Sequence, residues 1–225
     1  TRGIFNDHLS HHAIGMIISH SRHWDYYAQL QAEHRWSPAK PIKHLPGCAL
    51  LLIGCGEAGQ ATAALAKAMG MTVLATDPRV KEAPCVDEIH PPEALMELLP
   101  RADYVVMIVP ETPATLKMMA AEQFAAMKPG SYLINLGRGA TLVLDDLVSA
   151  LKDGPLEGAS LDVFEVEPLP RDHPLWDTPN VRITPHVSGE GPHCWERRLN
   201  LIIDNCRLFA AEQPLKNIVD KKNWF

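Results

Sequence analysis

No stretch of the 225 residues approaches the roughly 18 consecutive apolar positions that a membrane-spanning helix needs, so nothing in the chain is expected to cross a bilayer as a helix. Runs of Lys or Arg are missing too. The 21 basic side chains are outnumbered by 27 acidic ones, and a formal net charge of -6 argues against a nucleic acid or an anionic membrane surface as partner. Cysteine is sparse: Cys48, Cys55, Cys85, Cys194 and Cys206 are odd in number, widely spread and form no CxxC pair. That excludes a disulfide framework or a zinc site as the basis of the fold and favours reduced thiols in a cytoplasmic protein. There is no signal-like tract and no internal repeat, and the chain opens on Thr1 without a Met, so its start reads as a cut. The length fits one domain and part of another.

What is present is a globular composition, 46% hydrophobic and 21% charged, enough for a sizeable core. Residues 8–34 contain no Pro and place Ile14, Ile17 and Ile18 at helical spacing, which predicts one helix running past Tyr26. The Pro-rich stretch 37–46 reads as a linker. From Cys48 the period changes. Strands are predicted at 48–53, 71–76, 88–90, 104–109, 131–136, 159–164 and 181–184, with helices at 57–69, 92–98, 121–127, 143–152 and 194–212. Alternation of this kind predicts an α/β fold with a parallel sheet covered on both faces.

The segment Gly54-Cys55-Gly56-Glu57-Ala58-Gly59 fits GxGxxG, follows a predicted strand and opens an Ala-rich helix. Gly54 suits the tight turn, Gly56 a close backbone approach to a pyrophosphate, and Gly59 helix-on-strand packing; the helix N-terminus supplies amides and positive potential for the anion. Asp77 ends the second long strand, where it can accept bonds from the hydroxyls of an adenosine ribose and repel a 2′-phosphate, favouring NAD over NADP. Arg79, two residues on, works against that preference, and Glu57 is an awkward charge beside a pyrophosphate.

Three further segments end predicted strands, on the edge where open α/β sheets hold ligands. They carry Arg138 in Asn135-Leu136-Gly137-Arg138, Glu167 in Asp162-Val-Phe-Glu-Val-Glu167-Pro168, and His186 in Thr184-Pro185-His186-Val-Ser188-Gly189. An arginine can clamp a carboxylate bidentately, a histidine can move a proton near neutral pH, and a neighbouring carboxylate would fix its ring and favour the imidazolium.

On these stretches, with Val109-Pro110-Glu-Thr-Pro-Ala-Thr115, MKPGSYLINLGRG, LDVFEVEPLP, HPLWDTPNVRITPH and Glu212-Gln-Pro-Leu-Lys-Asn217, the chain resembles the D-isomer-specific 2-hydroxyacid dehydrogenases along nearly its whole length. The resemblance implies a doubly wound (Rossmann) nucleotide domain at 47–189, a crossover helix and linker at 1–46, and at 190–225 the C-terminal remnant of a flavodoxin-like substrate domain whose opening part is absent. It implies NAD as cofactor and a small 2-hydroxy or 2-oxo acid as substrate. By the same matching Arg138 binds the substrate carboxylate, His186 is the acid/base, Glu167 rather than Glu165 orients it, and Asp162 meets the nicotinamide carboxamide. Glu57, Ala58, Val109, Pro110, Leu136, Gly137, Ser188 and Gly189 would join the glycines of the loop and Asp77 in lining the dinucleotide. A homodimer is implied as well, and slow turnover where half of the substrate cleft is missing. The other reading is a catalytically silent NAD-binding regulator of the corepressor kind, which would have no use for Arg138, Glu167 and His186.

Other residues read plainly. His8 and His12 share a helix face but have no acidic or Cys partner at metal-ligand spacing, so no metal is expected; with His11, His20 and His23 they are placed on an exposed or interdomain face. Cys194 is read as a buried thiol, Trp176 as packed beneath the Pro-Leu-Trp turn, Trp24 and Trp36 as seam or hinge anchors, and Lys221-Lys222 as a solvated end.

Overall fold

The structure is a computed structural model describing residues 2–38 and 40–221; Lys222 and the other last residues of the 190–225 segment, like Thr1, lie outside the described residues. In chain order the elements are α1 (Asn6–Ser21), α2 (Trp24–Ala32), β1 (Ala49–Ile53), α3 (Glu57–Ala68), β2 (Thr72–Thr76), β3 (Glu88–His90), α4 (Leu95–Leu98), β4 (Tyr104–Met107), α5 (Ala121–Ala126), β5 (Ser131–Asn135), α6 (Leu144–Asp153), β6 (Leu156–Leu161), β7 (Val181–Ile183) and α7 (Cys194–Ala210). The seven strands form one sheet in the order β3-β2-β1-β4-β5-β6-β7, every neighbour parallel.

Strand alternation explains why the central runs are apolar throughout. In β1, Leu50 and Leu52 face a core shared with Ala13 and Ile17 of α1 and Ala63 and Ala66 of α3. Leu51 and Ile53 face the opposite core, with Leu95 and Leu98 of α4, Phe124 of α5 and Leu147 of α6. A strand covered on both sides needs no polar face. The chain leaves β1 for β2 and β3 on one side and returns to β4 on the other, so the switch point lies between the C-terminal ends of β1 and β4.

Three local features depart from the sequence expectations. The single helix expected at 8–34 is two. The Arg22 and His23 amides close α1 on the Ile18 and His20 carbonyls, and His23 then takes left-handed backbone, φ 54°. That reverses the chain into α2, while the His23 ring meets the Pro41 carbonyl oxygen at 2.8 Å. Apolar spacing carries no signal for the sign of one φ. The helix expected at 92–98 is a 3₁₀ turn at Pro92–Ala94, the short α4, and a 3₁₀ turn at Leu99–Arg101. Pro92 and Pro100 each remove an amide that a longer α-helix would use. Finally β6 occupies 156–161, not 159–164, because past Leu161 the backbone turns toward the segment after β7: the Asp162 carbonyl accepts the His186 amide at 2.8 Å.

His20 is also placed otherwise than expected. It is buried beneath α1, stacked on Tyr132 with ring centroids 4.0 Å apart, its Nδ1 3.1 Å from the Tyr104 hydroxyl. Burial pushes its pKa down from 6.5 to about 4, against the opposing pull of Glu157 and with the aid of Lys43 and His23. The fold therefore favours neutral His20. Its contribution to stability is complete above pH 6.5 and is lost as the pH falls toward 4, by at most about 1.4 kcal/mol per pH unit. We expect His20→Phe, which keeps the stacking, to flatten this acid slope. Urea midpoints at pH 7 and pH 5 that fall equally in variant and parent would refute it.

Candidate active site

The phosphate loop is built by close backbone approaches. Gly54 has φ 102°, and a Cβ there would come within 2.9 Å of the Ile108 carbonyl oxygen; one on Gly59 would collide with the Gly54 carbonyl. These two glycines are demanded by the fold itself. Gly56 is different. A Cβ on it would meet nothing within 4 Å, so protein packing gives no reason for glycine there. Gly56 is the N-cap of α3 and supplies no side-chain cap, which leaves the first amides of the helix for an anion. A cavity of about 820 Å³ opens beside it, lined by Gly54, Gly56, Asp77, Arg79, Val109 and Thr112. An open Cβ position, an uncapped helix and a cavity at the switch point fit a dinucleotide. Glu57 and Ala58 begin α3, and the Glu57 carboxylate is held in an exposed position by the Asn6 amide at 2.9 Å, a neutral donor that orients the charge without cancelling it.

Asp77 is buried at the end of β2, and its charge is used by the backbone. Oδ2 accepts the Cys55 amide at 2.9 Å; Oδ1 accepts the amides of Arg79 and Val80 at 2.9 and 3.0 Å. The carboxylate thus ties the phosphate loop to the turn after β2 and still lines the cavity wall.

Val109 and the exposed Pro110 follow β4, and Leu136 and Gly137 are buried after β5. The Gly137 amide donates to Asn135 Oδ1 at 3.0 Å. Arg138 next to it is anchored through its carbonyl, which accepts the Thr141 hydroxyl at 2.6 Å and the Asn135 amide group at 3.2 Å. Its exposed guanidinium rests on the Gly137 carbonyl, Nη1 to oxygen 2.7 Å.

The segments after β6 and β7 meet. Glu167 Oε2 lies 2.7 Å from His186 Nδ1, and Oε1 accepts the Phe164 amide at 2.8 Å. Burial would raise the Glu167 carboxyl, but the bonds from His186 and Phe164 outweigh it and hold it below the ordinary carboxylate range. With Nδ1 engaged, Nε2 is the ring atom left to face a reactant, and the His186 side chain is 49% exposed. His186 has left-handed backbone, φ 54°, rare for a non-glycine residue and typical of functional turns. Asp162 sits under this turn at 1% exposure. Its Oδ1 accepts the Thr184 hydroxyl at 2.5 Å and the Val187 amide at 3.0 Å, and Oδ2 accepts the buried Ser188 amide at 2.9 Å. Gly189 follows, half-buried against Phe5. Of the three residues expected to do the chemistry, Glu167 and His186 touch, and Arg138 stands at the end of the neighbouring strand; Asp162, expected at the cofactor, joins the pair through the backbone.

Sequence reasoning missed Asn6, Thr184 and His12, whose partners lie 51, 22 and 172 positions away. Trp176, expected under its turn, is half-exposed and donates to the Pro170 carbonyl; Trp36 is fully exposed. Cys194 is buried as expected. No group of three potential metal ligands occurs among the described residues. No described helix is long and apolar enough to cross a membrane.

A sequence model of the D-isomer specific 2-hydroxyacid dehydrogenase NAD binding domain matches residues 14–188. A glyoxylate/hydroxypyruvate reductase A of Serratia proteamaculans is 35% identical over 80% of the chain and 58% of that relative. A glycerate dehydrogenase of Methylorubrum extorquens is 33% identical over 93% of the chain and 67% of the relative. Among solved structures, a D-isomer specific 2-hydroxyacid dehydrogenase family protein from Aeromonas salmonicida superposes with a TM-score of 0.90 at 36% identity, covering 98% of this chain and 70% of that one. An NADPH-dependent glyoxylate/hydroxypyruvate reductase from Sinorhizobium meliloti, in complex with NADP and sulfate, gives 0.91 at 29% identity, covering 100% of this chain and 72% of that one. The chain thus spans little more than half of the curated reductase it matches.

The contrast between two glycines yields a test. Gly56→Ala should cost about 1 kcal/mol of stability or less yet weaken NADH binding at least ~10-fold, whereas Gly59→Ala should cost roughly 1–3 kcal/mol through overpacking. Urea unfolding and NADH fluorescence titration separate the two, and a Gly56→Ala variant that binds NADH like the parent would remove the ligand from this loop.

Proposed function

The chain belongs to the D-isomer-specific 2-hydroxyacid dehydrogenase family, and from that premise we propose that it is an NAD-dependent oxidoreductase interconverting a small 2-oxo acid and its D-2-hydroxy acid. The observation that carries this reading is the Glu167–His186 pair, 2.7 Å apart, presented by a left-handed turn on the sheet edge that also carries Arg138 and the dinucleotide cavity. A silent NAD-binding regulator has no need of that pair.

When bound, the reduced nicotinamide supplies the hydride that the keto carbon accepts. The protein's part is positioning and proton transfer. Arg138 offers a fork of donors to the substrate carboxylate. His186, turned by Glu167 so that Nε2 faces the reactant, gives a proton to the carbonyl oxygen during reduction and takes it back during oxidation. Glu167, held below the ordinary carboxylate range by its bonds to His186 and the Phe164 amide, is the anionic anchor of Nδ1. Leu136, Gly137, Val109, Pro110, Ser188 and Gly189 would wall the dinucleotide, with Glu57 and Ala58 at the pyrophosphate. Asp162 would hold the carboxamide end with whatever acceptor capacity its three bonds leave. The negative Asp77 in the cavity wall supports NAD over NADP.

The same reading assigns 190–225 to a second, substrate-side unit. Exposed Trp195, Leu199, Ile202 and Phe209 give α7 an apolar stripe of the sort that a packed neighbour covers. Residues 1–46 bring α1 and a linker to the nucleotide unit, although α1 itself packs into the core. Five unpaired cysteines agree with the cytoplasm, and exposed Trp24, Trp36 and Ile42 with a homodimer, which a purely monomeric sedimentation profile would remove.

Two outcomes test the chemistry. In NADH oxidation with glyoxylate, hydroxypyruvate and pyruvate, His186→Ala should lose about 10²–10⁴-fold in kcat with little change in NADH affinity; undiminished turnover would overturn the assignment. Glu167→Gln removes the charged anchor of Nδ1, so kcat should fall about 10²-fold or more at constant NADH affinity, and an unchanged kcat would separate Glu167 from the proton transfer. The parent should prefer NADH to NADPH at least ~10-fold in kcat/KM, a preference that Asp77 cannot explain if it is reversed.

A further inference from the structure

His12 is half-buried on α1, facing the edge of the sheet where the segment after β7 begins. Its Nε2 lies 3.4 Å from the Thr184 hydroxyl, and that hydroxyl lies 2.5 Å from Asp162 Oδ1. An ionised carboxylate can only accept, so the Thr184 hydrogen points at Asp162 and the hydroxyl turns a lone pair toward His12. His12 must then be the donor, as the tautomer with its hydrogen on Nε2. The polar chain runs in one direction, from His12 through Thr184 to Asp162. Asp162 completes it by accepting the amides of Val187 and Ser188 on its carboxylate and the amide of His186 on its carbonyl. The backbone amides of 186, 187 and 188 therefore all reach Asp162, that of His186 being shared with the Thr184 carbonyl at 3.1 Å, and His12 supports this residue from behind.

We propose that His12 is a positioning residue for the acid/base turn, acting through Thr184 and Asp162 to hold His186 in its left-handed conformation. This rests on the reading of His186 as the acid/base. The surroundings suit the role. Burial lowers the pKa of His12 despite the opposing charge of Asp162, with Arg182 adding to the lowering, so the ring is kept as the neutral donor that the chain requires. Arg182 is itself paired with Asp25 and does not displace His12 from Thr184. Nothing else is asked of the His12 ring among the described contacts, and the half-exposed His186 has no side-chain support beyond Glu167.

The test compares His12→Leu, which keeps most of the volume and loses the donor, with His12→Gln, which can donate from Nε2. In His12→Leu the Val187 and Ser188 amides should exchange with solvent at least ~10-fold faster while core amides such as those of Leu51 and Val105 are unchanged. Reduction of glyoxylate should lose about 10-fold in kcat at constant NADH affinity, because a misplaced acid costs rate and not cofactor binding. His12→Gln should return both readouts to within ~3-fold of the parent. Unchanged exchange and kcat in His12→Leu would overturn the proposal. So would a His12→Gln as impaired as His12→Leu, which would make the effect one of packing. A parent protein that reduces no 2-oxo acid would remove the functional reading alone, and amide exchange would then decide whether His12 holds the turn.

Discussion

A carboxylate buried at the end of a strand is costly unless its oxygens are engaged, and Asp162 meets that condition by gathering the segment after β7 around itself. Its three side-chain bonds and the one on its carbonyl join β6 to a turn that has no regular secondary structure to stabilise it. Without the carboxylate the buried Ser188 amide would lose its acceptor, at roughly 1–3 kcal/mol, and the part-buried Val187 amide would lose one as well. That loss is comparable to the cost, about 1–2 kcal/mol, of left-handed backbone at a non-glycine residue, so the bonds to Asp162 offset the strained conformation of His186. The Glu167–His186 pair is formed on that backbone.

Asp77 repeats the device on the other side of the switch point. It too ends a strand, is buried, and accepts three backbone amides. Two aspartates at the ends of β2 and β6 thus fix two loops on the same edge of the sheet, one at the glycine loop beside the cavity and one at the turn that carries His186. Between them the edge is shaped by absent side chains: Gly54 and Gly59 allow the loop to close on its own backbone, and Gly56 leaves open space. A rigid edge with one vacant approach is what electrostatic preorganisation requires, because little is left to reorganise when a charged ligand arrives.

How much of this was legible in the sequence follows from the range of each interaction. The strand, glycine loop and helix at 49–68 are local, and their pattern predicted them to within a residue or two. The sheet followed from the alternation of apolar runs with helical segments. Arg138, Glu167 and His186 stood out as chemistry-bearing residue types at strand ends, and two of them do meet. What was not legible was set by the sign of φ or by distant partners. The break at His23 and the turn at His186 are single left-handed residues inside unremarkable local sequence. β6 ends three residues early because Asp162 bonds to a segment more than twenty positions on. His12 and His20 looked alike as histidines on one helix, yet one meets Thr184 beside the His186 turn and the other stacks on Tyr132 in a separate polar cluster.

The first turns of α1 show why a helix that looked like a mere connection matters to the site. Asn6 holds the Glu57 carboxylate at the start of α3, Asp7 forms a two-point pair with Arg197 of α7 at 2.7 Å, and His12 meets Thr184. Arg197 also donates to the Ile4 carbonyl at 2.8 Å, and the pairing holds the Asp7 carboxyl well below its ordinary range. Both partners of the Asp7 pair are partly exposed, so it adds little stability on its own, and its value is geometric. Within seven residues α1 is thus tied to the helix that opens after the glycine loop, to the helix that carries an exposed apolar stripe, and, through Thr184, to the segment that presents His186. A displacement of α1 would alter all three at once. The buried side of the same helix, through Ala13, Met16 and Ile17, makes such a displacement expensive by setting it in the core of the sheet. The helix therefore serves as a fixed post to which the start of α3, α7 and the segment after β7 are bonded, and the polar residues of its first turns bear on the site although none of them lies on the sheet edge.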